Sequence, residues 1–89
     1  MHKYLVEFVG TMFLAFIILA TGNWMAIGAT LAICARLGGP ISGGAYNPAV
    51  AIAMMSSGKL SRSDVMPYII AEIAGAFAAV QLVKMVIKK

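Results

Sequence analysis

The chain has 89 residues, 62% hydrophobic and 11% charged, with a formal net charge of +4 and a mean hydropathy of +0.93. Soluble domains carry about a quarter charged residues and under half apolar ones, so this composition excludes an ordinary water-soluble fold, and a single cysteine, Cys34, excludes an internal disulfide framework. The seven basic residues sit at the ends of apolar segments rather than along a stripe, which argues against a nucleic-acid partner and for the flanks of membrane spans.

No Asp, Glu, Lys or Arg lies between Glu7 and Arg36, or between Arg36 and Lys59. Uncharged apolar runs of this length read as transmembrane helices, so an integral membrane protein in contact with a lipid bilayer is expected. The first segment, residues 4–21, covers about 27 Å as a helix, close to the thickness of a hydrocarbon core. A signal peptide is the alternative for this stretch, because Met1-His2-Lys3 is basic. Glu7 within the apolar run argues against it. Thr21-Gly22-Asn23 is a turn signal, and Trp24 beyond it suits a membrane–water interface. The second segment, residues 24–37, ends at Arg36 and the breakers Gly38-Gly39-Pro40. It is short for a span and is expected to begin at the interface.

Residues 40–57 read differently. Pro40-Ile41-Ser42-Gly43-Gly44-Ala45-Tyr46 is loop chemistry. The apolar run from Pro48 to Met55 gives only about 12–15 Å of helix, half a bilayer. A loop followed by a half-length helix is the pattern of a re-entrant segment, whose irregular backbone must be buried in protein or line a wet cavity. The last helix is expected over residues 63–87, with Ser61-x-x-Asp64 resembling an N-cap and Pro67 near its first turn. Ala71, Gly75 and Ala79 repeat at a spacing that lets helices approach closely, and Gly10 is a further small packing position. The expected fold is all-α, with three transmembrane helices and one re-entrant half-helix in a single unit.

The chemistry concentrates at Asn47-Pro48-Ala49. Asn is a preferred N-cap and Pro is favoured at the first helical position, so the triplet starts a helix. The N-terminus of a helix carries roughly half a positive charge. Near the bilayer midplane that end repels cations and protons, while the Asn amide offers donors to a passing water. Carbonyls of Gly43, Gly44, Ala45 and Tyr46 would add a row of acceptors. Alone, such a triplet merely opens a helix; the Ser-Gly-Gly loop before it and the short apolar helix after it favour a conduit for water or small neutral solutes.

These residues resemble the N-terminal half of a major intrinsic protein, the aquaporin and glycerol-facilitator family. The likeness rests on Glu7-Phe8-Val9-Gly10-Thr11, on the run from Gly39 to Val50, and on the run from Tyr68 to Ala76. The resemblance implies inverted three-helix halves whose two half-helices meet in mid-pore, so one copy of this chain is not expected to enclose a pore. A homo-oligomer, as antiparallel dimer units, or a complementary half-channel is expected to complete it. Ala45 stands where the family commonly has His. Ile27 and Val50 fall at positions corresponding to the family's narrow filter, which would make a homomeric pore wider and more apolar. The family also implies that Glu7 braces the loop by accepting N–H bonds. Glu72, at a position often Gln in the family, either braces or is protonated, and is expected to be buried with a partner.

Following the chain through three spans puts Lys3, Arg36, Lys59 and Arg62 on one side and Lys84, Lys88 and Lys89 on the other. Such a small asymmetry permits insertion in both orientations. Met54 and Met55 read as packing residues, Cys34 as a small apolar one, and Tyr4 and Tyr68 as interfacial anchors. Tyr46 either lines the pore or holds the loop by one hydrogen bond. No metal-ligand spacing, cofactor fingerprint or nucleophile–base pair is present, so no metal, cofactor or catalytic activity is expected. Two other readings are a small holin-like hole-forming protein, which does not require the Asn-Pro-Ala segment, and a non-conducting fragment or modulator of a full-length channel.

Overall fold

A computed structural model describes residues 2–87, so Met1, Lys88 and Lys89 lie outside the described residues. Four helices follow one another: α1 (Lys3–Thr21), α2 (Trp24–Ser42), α3 (Pro48–Ser56) and α4 (Arg62–Ile87). Three of them, α1, α2 and α4, are long and apolar enough to cross a membrane. The chain is all-helical among the described residues, as half of an aquaporin-like fold would be.

Local chemistry sets the ends. His2 caps α1 by accepting from the Tyr4 N–H at 3.1 Å, and Gly22 closes it in the left-handed region (φ +58°). That conformation, which costs a residue with a Cβ dearly, turns the Gly22 N–H back to the Ile18 carbonyl at 3.0 Å. Asn23 then caps α2, its Oδ1 accepting from the Ala26 N–H at 2.9 Å.

The second helix corrects the sequence expectation. It does not stop at Leu37 but continues through Gly38-Gly39-Pro40 to Ser42, giving 19 residues and a full span. Pro40, inside this helix, lacks the N–H that would bond to the Arg36 carbonyl. The helix closes only at Gly43 (φ +88°), whose N–H reaches the Gly39 carbonyl at 2.8 Å. Gly38 serves close packing instead of breaking the helix, since a Cβ there would collide with the Tyr46 hydroxyl.

Helix α1 packs between α2 and α4, and α3 packs on α4. The two long helices α1 and α4 run parallel. Lys3 at the start of one binds Asp64 at the start of the other (Nζ–Oδ2 2.7 Å), and Gly75 further along faces the backbone of α1. A Cβ on Gly75 would lie 2.6 Å from the Phe8 carbonyl oxygen and 3.1 Å from the Met12 nitrogen. Gly75 therefore sets how closely the helices approach, and Ala79, fully buried one turn on, continues the seam. Gly10 works differently from its expected helix-packing role: it faces the ring of Tyr46. The Ser61-x-x-Asp64 pattern also acts otherwise. Asp64 donates its N–H to the Ser61 carbonyl at 3.1 Å, while its carboxylate is taken up by Lys3 and by the Tyr4 hydroxyl (2.6 Å).

Phe13, Trp24, Leu37, Ile70 and Phe77 point outward, while most of the buried set is small or polar, among them Ala45, Ala51, Ala79, Glu7, Thr11, Ser42 and Glu72, with Tyr46, Tyr68, Val6 and Val65 as its larger apolar members. This inversion of the water-soluble pattern suits a molecule whose outer surface meets lipid or a partner helix. The long axis of 41 Å matches a bilayer with its headgroups.

Candidate functional site

The five residues between α2 and α3, Gly43 to Asn47, turn sharply inward. Gly43, Gly44 and Tyr46 have φ of +88°, +67° and +55°. For Tyr46 this left-handed conformation costs on the order of 1–2 kcal/mol, so the surroundings must hold it. They do so from three helices. From α1, the fully buried Glu7 carboxylate accepts from the Tyr46 N–H at 2.7 Å and the Ala45 N–H at 3.2 Å, and from the Ser42 hydroxyl at 2.7 Å. From α2, the Cys34 carbonyl accepts from the Tyr46 hydroxyl at 2.6 Å, with the ring seated against Gly10 and Gly38. From α4, the Tyr68 hydroxyl donates to the Ser42 carbonyl at 2.6 Å.

Tyr68 is therefore no interfacial anchor. It is 1% exposed and holds the end of α2, with Tyr4 edge-on at 5.8 Å between ring centroids. Sequence reasoning missed this role, although Tyr68 stands four residues before Glu72 and so shares its helix face. Tyr46 turns its ring into the seam between α1 and α2, where its hydroxyl makes the bond to Cys34.

The constrained loop delivers Asn47 to the start of α3. Asn47 is extended (φ −160°), its Oδ1 accepts from the Ala49 N–H at 2.8 Å, and Pro48 occupies the first helical position. One side of α3 is closed by Ala51, fully buried in a cluster with Ala45 and Tyr68. The other side is open: Asn47, Ala49 and Val50 are exposed. Because the cap uses Oδ1, the amide N–H donors remain for whatever approaches that face. At nine residues, α3 is about 14 Å long.

The family model of the major intrinsic proteins matches residues 1–89. The chain belongs to the major intrinsic protein family. Like its relatives in that family, it is an integral membrane protein. It is 41% identical over 93 residues to glycerol uptake facilitator protein-like 6 of Lactiplantibacillus plantarum, covering 94% of this chain and 43% of that protein. It is 43% identical over 60 residues to aquaglyceroporin AqpS of Rhizobium meliloti (67% and 26% covered), and 36% identical over 94 residues to aquaporin Z of Brucella melitensis (89% and 41% covered). The chain thus spans less than half the length of these relatives. No solved structure matches it.

For a major intrinsic protein, the remaining expected site residues distribute unevenly. Ile27 lies half-buried in the first turn of α2 and Val50 is 41% exposed on α3; neither contributes to the bonds that hold the loop. Ala45 is buried, and the carbonyls of Gly43 and Gly44 belong to the left-handed turn. Glu72 is 1% exposed, as its expected burial required, but the expected partner is missing: neither of its oxygens has a hydrogen-bond partner among the described residues. Ala71 is half-buried beside it. An apolar groove of about 500 Å³ runs between α1 and α2, lined by Val9, Phe13, Ile17, Ile33 and Tyr46 among others; Asn47 does not line it. Among the described residues no group of three or more His, Cys, Asp or Glu could hold a metal ion.

Proposed function

We propose that this chain is half of a passive channel for water and small uncharged solutes, with its lumen closed by a second, inverted copy or by a complementary half. The observation that carries this reading is the Asn47-capped start of α3, held inside the helix bundle by Glu7 while Asn47, Ala49 and Val50 stay exposed. The positive end of such a half-helix disfavours cations, and the Asn47 amide donates to a neutral hydroxyl or water in their place. The names of the relatives, a glycerol uptake facilitator, an aquaglyceroporin and an aquaporin, support the solute class. All of this is transport by positioning, with no catalytic step.

Inverted repeats are the usual way to build a transport path at the membrane midplane. The Lys3–Asp64 pair supports placing both helix starts on one membrane face, with Lys84 in the last turn of α4 on the other. The nearly balanced basic residues leave both insertion orientations open to this chain, so two copies of Asn47 can face each other. Lined by Ile27 and Val50, such a pore is wider and less polar than a strict water filter. Stopped-flow light scattering on liposomes holding only this protein tests the reading. Wild type accelerates osmotic shrinkage and Asn47→Asp does not; no acceleration by wild type contradicts self-assembly into a conducting pore.

A further inference from the structure

The extension of α2 to Ser42 carries one charge into the interior of a span. Arg36 stands six residues before the end of that helix, about 9 Å along its axis, and is exposed. Side chains on a helix lean toward its N-terminus. For α2 that end is Trp24, on the far side of the span, so the guanidinium is aimed at the middle of the membrane and away from the nearer headgroups. An ionisable group at such depth faces a partner or a wet cavity rather than hydrocarbon. Pro40 adds a second demand on the same edge of α2: the Arg36 carbonyl, without its helical N–H, also needs water or a donor.

The chain itself supplies no counter-charge. Its three acidic side chains are Glu7, Asp64 and Glu72. Glu7 spends its oxygens on Ala45, Tyr46 and Ser42, and Asp64 is taken by Lys3 and Tyr4. Glu72 is buried on α4, with α1 standing between that helix and α2. Arg36 has no hydrogen-bond or ion-pair partner among the described residues. A second copy brings the same three acids, equally engaged, and a second Arg36. The edge of α2 that carries Arg36 is set by its neighbours. Gly38, two residues on, faces Val6 of α1 and Tyr46, and a two-residue step turns Arg36 to the opposite side. The loop that leads to Asn47 crosses α2 beside it: a Cβ on Gly44 would lie 3.6 Å from the Ala35 Cα and 3.7 Å from the Gly39 Cα.

We infer that Arg36 is a binding site for a small monovalent anion, and that the assembled passage conducts such anions as well as neutral solutes. The inference rests on the reading of the chain as half of a channel, since closure by a second copy is what sets this edge of α2 against water instead of lipid. In a pair of inverted copies every fixed charge along the passage is then positive: two guanidiniums and the two electropositive starts of α3. Like charges near a common axis repel. An anion between them removes the repulsion and occupies the planar donor fork of each guanidinium. Rings of basic side chains are the usual lining of anion pores, and arginine suits the task because it offers five N–H donors and no acceptor. The anion crosses by exchanging water for these donors, with no covalent step. A cation finds no favourable group on the way.

Liposomes loaded with potassium chloride and holding only this protein test the inference. With valinomycin carrying potassium, chloride release is expected to run several-fold faster than from empty liposomes. Without valinomycin it stays at the empty level, because potassium cannot follow. Arg36→Gln brings release down toward the empty level, while Lys59→Gln, in the exposed turn before α4, changes nothing. Hydrogen exchange at the Ala45 and Tyr46 amides shows whether Arg36→Gln still folds. Should it not, Arg36→Lys takes its place: the charge stays and the planar fork goes, so release persists with an altered preference among chloride, nitrate and formate, and an unaltered preference overturns the inference. Wild type that speeds osmotic shrinkage yet releases no chloride with valinomycin also overturns it and leaves the half-channel reading standing; absence of both removes that reading as well. Undiminished release from a folded Arg36→Gln overturns it too, and assigns the guanidinium to lipid phosphates or to a carboxylate of a complementary half.

Discussion

Replacing Glu7 by Ala removes the one group that satisfies two buried amides at once. The Ser42 hydroxyl has an alternative acceptor, the Gly38 carbonyl at 3.3 Å, so its loss is small. The Ala45 and Tyr46 N–H groups have none in the structure, and each buried amide without a partner costs about 1–3 kcal/mol. The expected destabilisation is therefore about 2–6 kcal/mol, toward the upper end because hydrocarbon supplies no water to take over. A domain has about 5–15 kcal/mol in total, so the loop would let go before the spans do. Glu7→Gln keeps one acceptor oxygen for the Tyr46 N–H, and its amide can donate to the Ser42 hydroxyl. Only Ala45 is then orphaned, and the cost falls to about 1–3 kcal/mol. Unfolding in mixed micelles followed by circular dichroism gives the global cost, and hydrogen exchange at Ala45 and Tyr46 gives the local one. Glu7→Ala within about 0.5 kcal/mol of wild type, the range of an unremarkable surface change, with both amides still protected, would refute the reasoning.

Gly75→Ala forces α1 and α4 apart and is expected to cost about 1–3 kcal/mol as overpacking, whereas Gly28→Ala, with open space around it, gains up to about 1 kcal/mol in helix propensity; the same unfolding assay separates them. Gly38→Ala collides with the Tyr46 hydroxyl and Tyr46→Phe removes that oxygen, so the double variant is expected to be less destabilised than the sum of the two, a coupling of at least about 0.5 kcal/mol in a double-mutant cycle. Lys3→Ala is expected to cost little and to lose its effect at high salt, since the pair is partly exposed. Asp64→Ala costs more and keeps part of its effect in salt, because the Tyr4 hydroxyl also loses its acceptor. Asn47→Ala loses a helix cap worth about 1 kcal/mol, measurable as lower protection at Ala49 in hydrogen exchange.

The elements that follow from composition and local chemistry were readable in advance. Absence of charge gave the first span, where residues 4–21 were expected and Lys3–Thr21 is found. The cap preference of Asn and the fixed φ of Pro gave the start of the half-helix at Asn47. What misled was chemistry whose meaning depends on a distant partner. Gly38 looked like a breaker because nothing local shows that a tyrosine ring eight residues later needs the room of a missing Cβ. Tyr68 looked interfacial because an aromatic near a span end is ambiguous until the end of α2 is seen to fold back against it. The left-handed backbone of Tyr46 has no local signal, since it is held there by a carboxylate thirty-nine residues earlier in the chain. Which face of α3 stays open likewise depends on how α4 covers Ala51.

The account stands or falls on whether the start of α3 faces water inside the membrane. Ala49→Cys in a Cys34→Ala background, reconstituted into liposomes and exposed to a charged, membrane-impermeant thiosulfonate, measures this directly, with Phe77→Cys as the outward-facing reference. Rapid modification of the cysteine at position 49, with little at position 77, is the predicted result. A cysteine at position 49 that reacts no faster than one at position 77 would contradict it.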